Sequence, residues 1–164
     1  MRTITLLRHA KSSWDNTDLV DFDRPLNGRG RKNAPEMAHR LRVAGIRPSL
    51  ILSSPAKRAW STAKIIAAEI GYPAEFLQRD RDLYHAGTER LLDVIATQDE
   101  GFNSILLVAH NPGLTDLANE LVPGLTNNLQ TCGYVAVSVD VDSWDLRGRR
   151  SAELIEYDYP KKSA

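Results

Sequence analysis

Short apolar runs alternate with longer segments of helical periodicity along most of the chain. Three apolar runs of strand length occupy residues 3–8, 49–54 and 103–110, and a weaker one occupies 74–78. Helical patterns follow the three strong runs, with Pro55 at the start of the second helix and Gly71 at its end. Strands that alternate with helices in this way predict right-handed crossovers and a mainly parallel sheet with both faces covered.

The last part of the chain has a different pattern. Residues 134–141 and 152–159 each alternate between apolar and polar positions, with turn-forming residues between them, which predicts an antiparallel pair. The predicted fold class is therefore α/β, a three-layer sandwich in which a mainly parallel, mixed sheet is flanked by helices. We expect one domain over residues 1–158 and a flexible tail over 159–164.

A long polar stretch follows the first strand. Residues 10–27 are rich in Asp, Ser and Asn, and a loop of this length in a compact domain is typically functional. The helical pattern after it predicts a helix with Asn33 as its cap, Pro35 in its first turn and Gly45 as its stop.

Composition excludes some classes of function. The 164 residues are 42% hydrophobic and 26% charged, and 21 basic residues balance 21 acidic ones, so we expect no binding to nucleic acid or membrane. The single cysteine, Cys132, excludes an internal disulfide and a cysteine-based metal cluster. No secretory segment is recognisable and no apolar stretch reaches about 18 residues. We therefore expect a cytoplasmic protein.

Basic side chains stand where three predicted strands end. The carboxyl ends of parallel strands meet at one edge of a sheet, where ligands bind. Guanidinium groups beside helix N-termini form an anion site, and they match phosphate oxygens with paired hydrogen bonds. A neutral imidazole among them is a natural nucleophile toward phosphorus, and such a cradle needs no metal in principle. The side chains in question are Arg8, His9, Arg58 and His110.

Each of these signals is weak alone, but their order along the chain is specific. The stretches LLRHAKSSW, SSPAKRAWSTA and VAHNPGL resemble the histidine phosphatase superfamily, which is phosphoglycerate mutase-like in fold. The short length and the stretch DRPLNGRG resemble its SixA branch, the bacterial phosphohistidine phosphatases. The resemblance extends from Arg2 to about Tyr157.

The resemblance implies a role for each matched residue. His9 would be the nucleophile that becomes phosphorylated, and Arg8 and Arg58 would grip the phosphoryl oxygens. His110 would donate to the same oxygens. Ser12, three residues after the nucleophile, would contact the phosphate or fix the loop.

Two departures from the family pattern bear on the substrate. Asp15 stands where many members have asparagine, and its negative charge is an odd neighbour for phosphate. Many members also carry a carboxylate that protonates the leaving oxygen, whereas this chain has His85 at that place and Asp82 nearby. An alkoxide needs a general acid to leave, but the imidazole of phosphohistidine is much less basic. The departure therefore favours a phosphoramidate substrate.

The resulting hypothesis is a phosphatase without metal or cofactor that hydrolyses phosphohistidine on a protein through phospho-His9. The alternatives are a phosphatase of small phosphate esters and a non-catalytic module that binds phosphate or a phosphoprotein. The group that protonates the leaving nitrogen stays open among His85, Asp82, His110 and water.

The surroundings of this predicted site have simpler interpretations. Trp14 and Phe22 of the long loop are expected to pack it onto the core, with contact to a partner protein as the alternative. The basic residues of the following segment are expected to form a solvated face that could also guide an anionic partner. They are Arg24, Arg29, Arg31 and Lys32.

Overall fold

Strands and helices alternate through most of the chain, as the hydrophobic pattern predicts. A computed structural model describes residues 1–162. Within that range the strands are β1 (Arg2–Arg8), β2 (Leu50–Ser53), β3 (Gln78–Arg79), β4 (Ser104–Ala109), β5 (Tyr134–Val139) and β6 (Ala152–Asp158). The α-helices are α1 (Gly28–Val43), α2 (Lys57–Ile70), α3 (Thr88–Ala96) and α4 (Gly113–Leu121).

The six strands form one mixed sheet in the order β3-β2-β4-β1-β5-β6. The first four strands in this order are parallel, and β5 and β6 add an antiparallel edge next to β1. Both the parallel part and the antiparallel pair confirm the prediction from periodicity. The parallel strands place three strand-to-helix turns at the same edge of the sheet.

Each face of the sheet has its own apolar core. Along β1, Ile4 and Leu6 belong to the cluster that includes residues of α3 and α4, whereas Leu7 belongs to the cluster that includes residues of α1 and α2. Side chains on a strand point alternately to the two faces, which accounts for this division. The result is the predicted three-layer α/β sandwich.

The start of α1 differs from its prediction. Asn27, not Asn33, caps the helix, because its side-chain oxygen accepts the backbone N–H of Gly30 at 2.8 Å. Pro35 consequently lies inside the helix and not in its first turn. The early start depends on close packing, since a Cβ at Gly30 would collide with the backbone oxygen of Lys11. The sequence pattern does not reveal that contact.

Other segments match their predictions in part. The weak strand at 74–78 is a 3₁₀-helix, Ala74–Phe76, followed by the two residues of β3. In the predicted tail, the backbone oxygens of Tyr159 and Pro160 accept hydrogen bonds from Arg40, and residues 163–164 lie outside the described range. No helix within residues 1–162 is long and apolar enough to span a membrane.

Candidate active site

A cleft of about 800 Å³ opens at the carboxyl ends of β1, β2 and β4. All five residues that were predicted to attack or contact the phosphate line this cleft. They are Arg8, His9, Ser12, Arg58 and His110. The prediction that separate strand ends converge on one anion site is thus consistent with the geometry.

The two histidines face each other because of strand register. Arg8, the last residue of β1, pairs with Ala109, the last residue of β4, and the residues that follow them are His9 and His110. Their ring centroids lie 5.2 Å apart. The strand β1 ends at Arg8, so the chain can turn there and both Arg8 and His9 reach the cleft.

The tautomer of His9 follows from its hydrogen bond. Its Nδ1 lies 2.7 Å from the backbone oxygen of Ala10, which can only accept, so Nδ1 donates and Nε2 keeps its lone pair. The residue is 7% exposed. Burial is the main cause that lowers the pKa of His9 to about 4; the nearby Arg58 and Arg8 act in the same direction, and the hydrogen bond with Ala10 opposes them. His9 is therefore a neutral imidazole at neutral pH.

His110 is held through Nε2, whereas His9 is held through Nδ1. Its Nε2 lies 2.7 Å from Oγ of Ser54, while its buried Nδ1 has no hydrogen-bond partner among the described residues. Burial is the main cause that lowers the pKa of His110 to about 3, and His9 and Arg58 contribute to this fall. Ser54 Oγ accepts the backbone N–H of Ala56, and its own hydrogen can be donated to Nε2 of His110. In that arrangement Nδ1 carries the proton and can donate it to an anion.

Arg8 is anchored at one nitrogen and available at another. Its Nη1 donates to the backbone oxygen of Leu129 at 3.1 Å, and its buried Nε has no partner among the described residues. Burial and the neighbouring Arg58 lower the pKa of Arg8. Buried donors are normally hydrogen-bonded, so Arg8 Nε and His110 Nδ1 are positions where an oxyanion would complete the bonding.

Arg58 stands at the start of α2 and is 6% exposed. Its backbone oxygen accepts from Oγ1 of Thr62 at 2.7 Å, and that same Oγ1 accepts the backbone N–H of Ala10 at 3.0 Å. The turn that carries His9 is thereby joined to the helix that carries Arg58. These hydrogen bonds fix the relative positions of His9 and Arg58.

Asp21 is a central residue of the site that sequence reasoning did not identify. It lies on a 3₁₀-helix, Asp21–Asp23, within the long loop. Its Oδ2 accepts from Arg58 Nη2 at 3.0 Å and from Tyr84 Oη at 2.6 Å, and its Oδ1 accepts from Arg24 Nη1 at 3.1 Å. Burial raises its pKa, but the bonds from Tyr84 and the arginines outweigh burial and hold the pKa well below its usual range.

The expectation that Arg24 belongs to a solvated face is wrong. Arg24 is buried, and its Nη2 donates to Oγ of Ser12 at 2.5 Å. Ser12 therefore fixes the loop, which is one of the two roles predicted for it. The Arg24 guanidinium also lies 3.2 Å from the ring centroid of Trp14. Trp14 lines the cleft yet is 74% exposed, so it does not pack onto the core as expected.

The two residues predicted as proton donors lie apart from the cleft lining. Asp82 is exposed and pairs with Arg90 at 3.3 Å. His85 is exposed, has a φ of 59°, and stacks on Tyr84 with centroids 3.9 Å apart. Asp15, in contrast, lines the exposed rim of the cleft.

Metal ligation has no obvious location in the described part of the chain. No group of three or more His, Cys, Asp or Glu side chains there is arranged to hold an ion. The contacts of the cleft are instead those of guanidinium and imidazole groups, which bind anions.

One sequence signal could have indicated the Asp21 contacts. Asp21 and Arg24 are three residues apart in the stretch DFDR, a spacing at which opposite charges pair on a single helical turn. Nothing local in the sequence indicates that Tyr84, 63 residues away, donates to the same carboxylate.

Family comparison agrees with the geometry of the cleft. The family model described as histidine phosphatase superfamily (branch 1) matches residues 4–100. An uncharacterised chloroplastic protein of Arabidopsis thaliana is 32% identical over 88% of this chain and 69% of its own length. The chain belongs to the histidine phosphatase superfamily, and it is a phosphatase of the SixA-like branch.

Solved structures extend the comparison over nearly the whole chain. The putative phosphohistidine phosphatase SixA from Agrobacterium tumefaciens is 28% identical, with a TM-score of 0.81 and coverage of 97% of this chain and 98% of the other. A mycobacterial glucosyl-3-phosphoglycerate phosphatase is 19% identical, with a TM-score of 0.68 and coverage of 93% and 96%. The second likeness is one of fold.

Proposed function

We propose that this phosphatase removes the phosphoryl group from phosphohistidine on a protein, through a phospho-His9 intermediate. The observation that carries the proposal is the pairing of a neutral His9, whose Nε2 lone pair is unprotonated, with Arg8, Arg58 and His110 around one cleft. These groups supply a nucleophile and the positive charge that a phosphoryl group in transfer needs.

The first step is attack on phosphorus by Nε2 of His9. The new P–Nε2 bond forms as the bond from phosphorus to the substrate nitrogen breaks, and the bonding pair stays on that nitrogen. Arg8 Nε, the Arg58 guanidinium and His110 Nδ1 donate to the oxygens while charge builds on them. In the second step water attacks phosphorus, the P–Nε2 bond breaks, and phosphate leaves with His9 neutral again.

The leaving group decides which substrate suits this cleft. An alkoxide must be protonated as it departs, which usually requires a carboxylic acid held beside it. Asp21 lines the cleft but its pKa is held well below the usual range, so it has no proton to give. A phosphohistidine ring that takes up a proton from water on its remote nitrogen departs as neutral imidazole. The donor set therefore favours a P–N bond.

An open, exposed rim favours a protein as the carrier of that bond. Trp14 lies at the rim with 74% of its surface exposed, and exposed large aromatic side chains at a site edge are typical of contact surfaces. The SixA protein from Agrobacterium tumefaciens is described as a putative phosphohistidine phosphatase, which supports the same substrate class. A role in signal transduction and a cytoplasmic location belong to this proposal.

Small phosphate esters are the second candidate substrate. The mycobacterial relative in fold is a glucosyl-3-phosphoglycerate phosphatase, and a cleft of about 800 Å³ has room for a sugar phosphate. The cation set of this cleft would bind either substrate. The two candidates differ in whether the reaction needs an acid for the leaving oxygen.

A substrate panel tests the proposal. The protein is incubated with a phosphohistidine-bearing protein, with phosphoramidate, and with the alkyl esters phosphoglycerate and glycerol phosphate, and kcat/KM is measured for each. We expect kcat/KM for the two P–N substrates to exceed that for the esters by at least about 100-fold, since each missing proton transfer typically costs that much. The rates should be the same with and without EDTA, because no step uses a metal.

The same panel can refute the proposal. A higher kcat/KM for either ester would assign the cleft to small esters. No turnover of any substrate, together with tight binding of inorganic phosphate, would instead indicate the non-catalytic binding module. Loss of activity in EDTA that Mg²⁺ restores would contradict metal independence.

A further inference from the structure

Arg58 lines the cleft, and part of its guanidinium is hydrogen-bonded to the protein. A guanidinium carries five N–H groups in a rigid plane. Two of them are taken by one residue, since Nη1 donates to the backbone oxygen of Asp21 at 2.8 Å and Nη2 donates to its Oδ2 at 3.0 Å. The other three N–H groups make no hydrogen bond within residues 1–162 and are available to a ligand, in directions set by the two that Asp21 holds.

The same carboxylate holds a second arginine. Arg24 Nη1 donates to Oδ1 of Asp21, and Tyr84 Oη donates to Oδ2, so both oxygens of the carboxylate are engaged. Tyr84 is fixed in turn, because its ring packs edge-on against the rings of Phe22 and His110. The ring centroids lie 5.1 Å and 5.6 Å apart, respectively. Asp21 thus connects the long loop to α2 and to the neighbourhood of His110.

We infer that Asp21 is a positioning residue for phosphoryl transfer, whose carboxylate holds Arg58 at the angle at which it meets the phosphoryl oxygens. The inference rests on the phosphate-binding role of Arg58 in the proposed function. A long arginine side chain otherwise samples many rotamers, and ordering it during the reaction would slow the step. Asp21 performs that ordering before the substrate arrives, from a place in the loop that does not touch phosphorus.

An amide cannot replace this carboxylate. Both oxygens of Asp21 accept from N–H or O–H donors, so in Asp21→Asn the amide nitrogen would face a donor of Arg58 or of Arg24. One of the two arginines must then turn away. Asp21→Asn nevertheless keeps the size of the side chain, which makes it a test of hydrogen-bond direction with little change in packing.

A double-mutant cycle tests the inference. We compare the wild type with Asp21→Asn, Arg58→Ala and the double variant, using phosphoramidate and single-turnover kinetics. Asp21→Asn should lower kcat by about 10- to 100-fold, and should change KM by less than about threefold, because misplacement acts on the transition state. In the Arg58→Ala background the same substitution should change kcat by no more than about threefold, since the partner is gone.

The matched control is Asp23→Asn on the same 3₁₀-helix. Asp23 is exposed and its carboxylate makes no hydrogen bond within the described residues, so we expect wild-type kinetics. Tyr84→Phe removes one hydrogen bond to Asp21 and should lower kcat by about threefold, again only where Arg58 is present. This second variant keeps the test valid if Asp21→Asn does not fold, as judged by its thermal midpoint.

The outcomes separate two kinds of failure. If Asp21→Asn and Tyr84→Phe lower kcat equally with and without Arg58, or not at all, the positioning role of Asp21 is refuted while the phosphate cradle stands. If Arg58→Ala itself leaves kcat and KM unchanged, the proposed function fails at the cradle. A parallel loss of kcat and thermal stability in Asp23→Asn would show that the helix matters only for folding, and would also refute the role.

Discussion

Two cavities of this protein are lined by arginine and histidine side chains, and these side chains differ in how deeply they are buried. The cleft at the carboxyl ends of the strands buries His9 and Arg58 to 7% and 6% exposure. A second cavity of about 540 Å³, near the ends of α1 and α2, is lined by exposed His39, Arg42 and Arg47. The residue types are similar, but their surroundings are not.

The difference lies in how firmly each cation is held. In the cleft, Arg58 donates twice to Asp21 and lies beside a histidine whose pKa is lowered to about 4. In the second cavity, Arg42 makes one long contact, 3.4 Å from its Nη1 to the backbone oxygen of Glu69. Charges that are fixed before the reaction stabilise a transition state far better than charges that water still surrounds. Residue types alone therefore mark both cavities as places where an anion could bind. Burial and hydrogen bonding distinguish the cleft, because its cations are held in fixed positions.

Removing one histidine from each cavity should give the largest difference in activity between the two sites. We expect His9→Ala to lower kcat for phosphoramidate by about 1,000-fold or more, because it deletes the nucleophile. His39→Ala should leave kcat and KM unchanged, since His39 is exposed in the second cavity. Activity of the His9 variant within about tenfold of the wild type would remove His9 as the nucleophile.

The stability of the protein in acid gives a smaller test of the same contrast. The pKa of His9 is about 4 in the folded protein against 6.5 unfolded, so between these values the unfolded chain binds an extra proton and acid favours unfolding. The free energy of unfolding should fall by about 2 kcal/mol from pH 6.5 to pH 5 because of His9 alone. Urea unfolding of His9→Asn should lack this part of the fall.

The control for that measurement is His39→Asn, a substitution of the same kind at an exposed position outside the cleft. If wild type and His9→Asn lose stability in parallel between pH 6.5 and pH 5, then His9 is not held neutral by its burial. The contrast between the two cavities would then lose its electrostatic part.

Exposed residues at the two rims give the smallest expected effect. Trp14, at the rim of the cleft, is 74% exposed, and Val43, at the rim of the second cavity, is 75% exposed. Trp14→Ala should lower kcat/KM for a phosphohistidine-bearing protein about three- to tenfold more than for phosphoramidate, because a rim contact serves a large substrate. Val43→Ala should change neither value. Equal losses on both substrates would assign Trp14 to the support of Arg24 and not to substrate contact.

Local patterns were sufficient to predict the order of the elements. The continuous apolar run before Arg8 and the alternation over 134–141 predict buried and half-buried strands, and both strands occur in the structure. Helix boundaries were less accurate where a tertiary contact decides them. The start of α1 depends on the approach of Gly30 to the backbone of Lys11, which no local pattern encodes.

The candidate site was predictable to the extent that strand ends carry it. His9 and His110 each follow an apolar run, and the parallel topology brings such ends together. Arg24 was misassigned because a basic residue in a polar loop is usually solvated, whereas here Ser12 and Asp21 hold it in a buried position. The sequence pattern predicted Asp82 and His85 as proton donors of the site, but the structure places them outside the cleft lining.

The α/β class, the mixed sheet and the residues that supply imidazole and guanidinium groups could all be predicted from the sequence. Periodicity, strand ends and side-chain chemistry are local properties, so a single chain read in order is enough to recover them. The tertiary structure is needed to know which carboxylate the arginines bind, which nitrogen of His9 is free and how far the pKa of His9 falls. Those properties depend on distances and burial between residues far apart in the chain, such as Asp21, Arg58 and Tyr84, and only folding sets them.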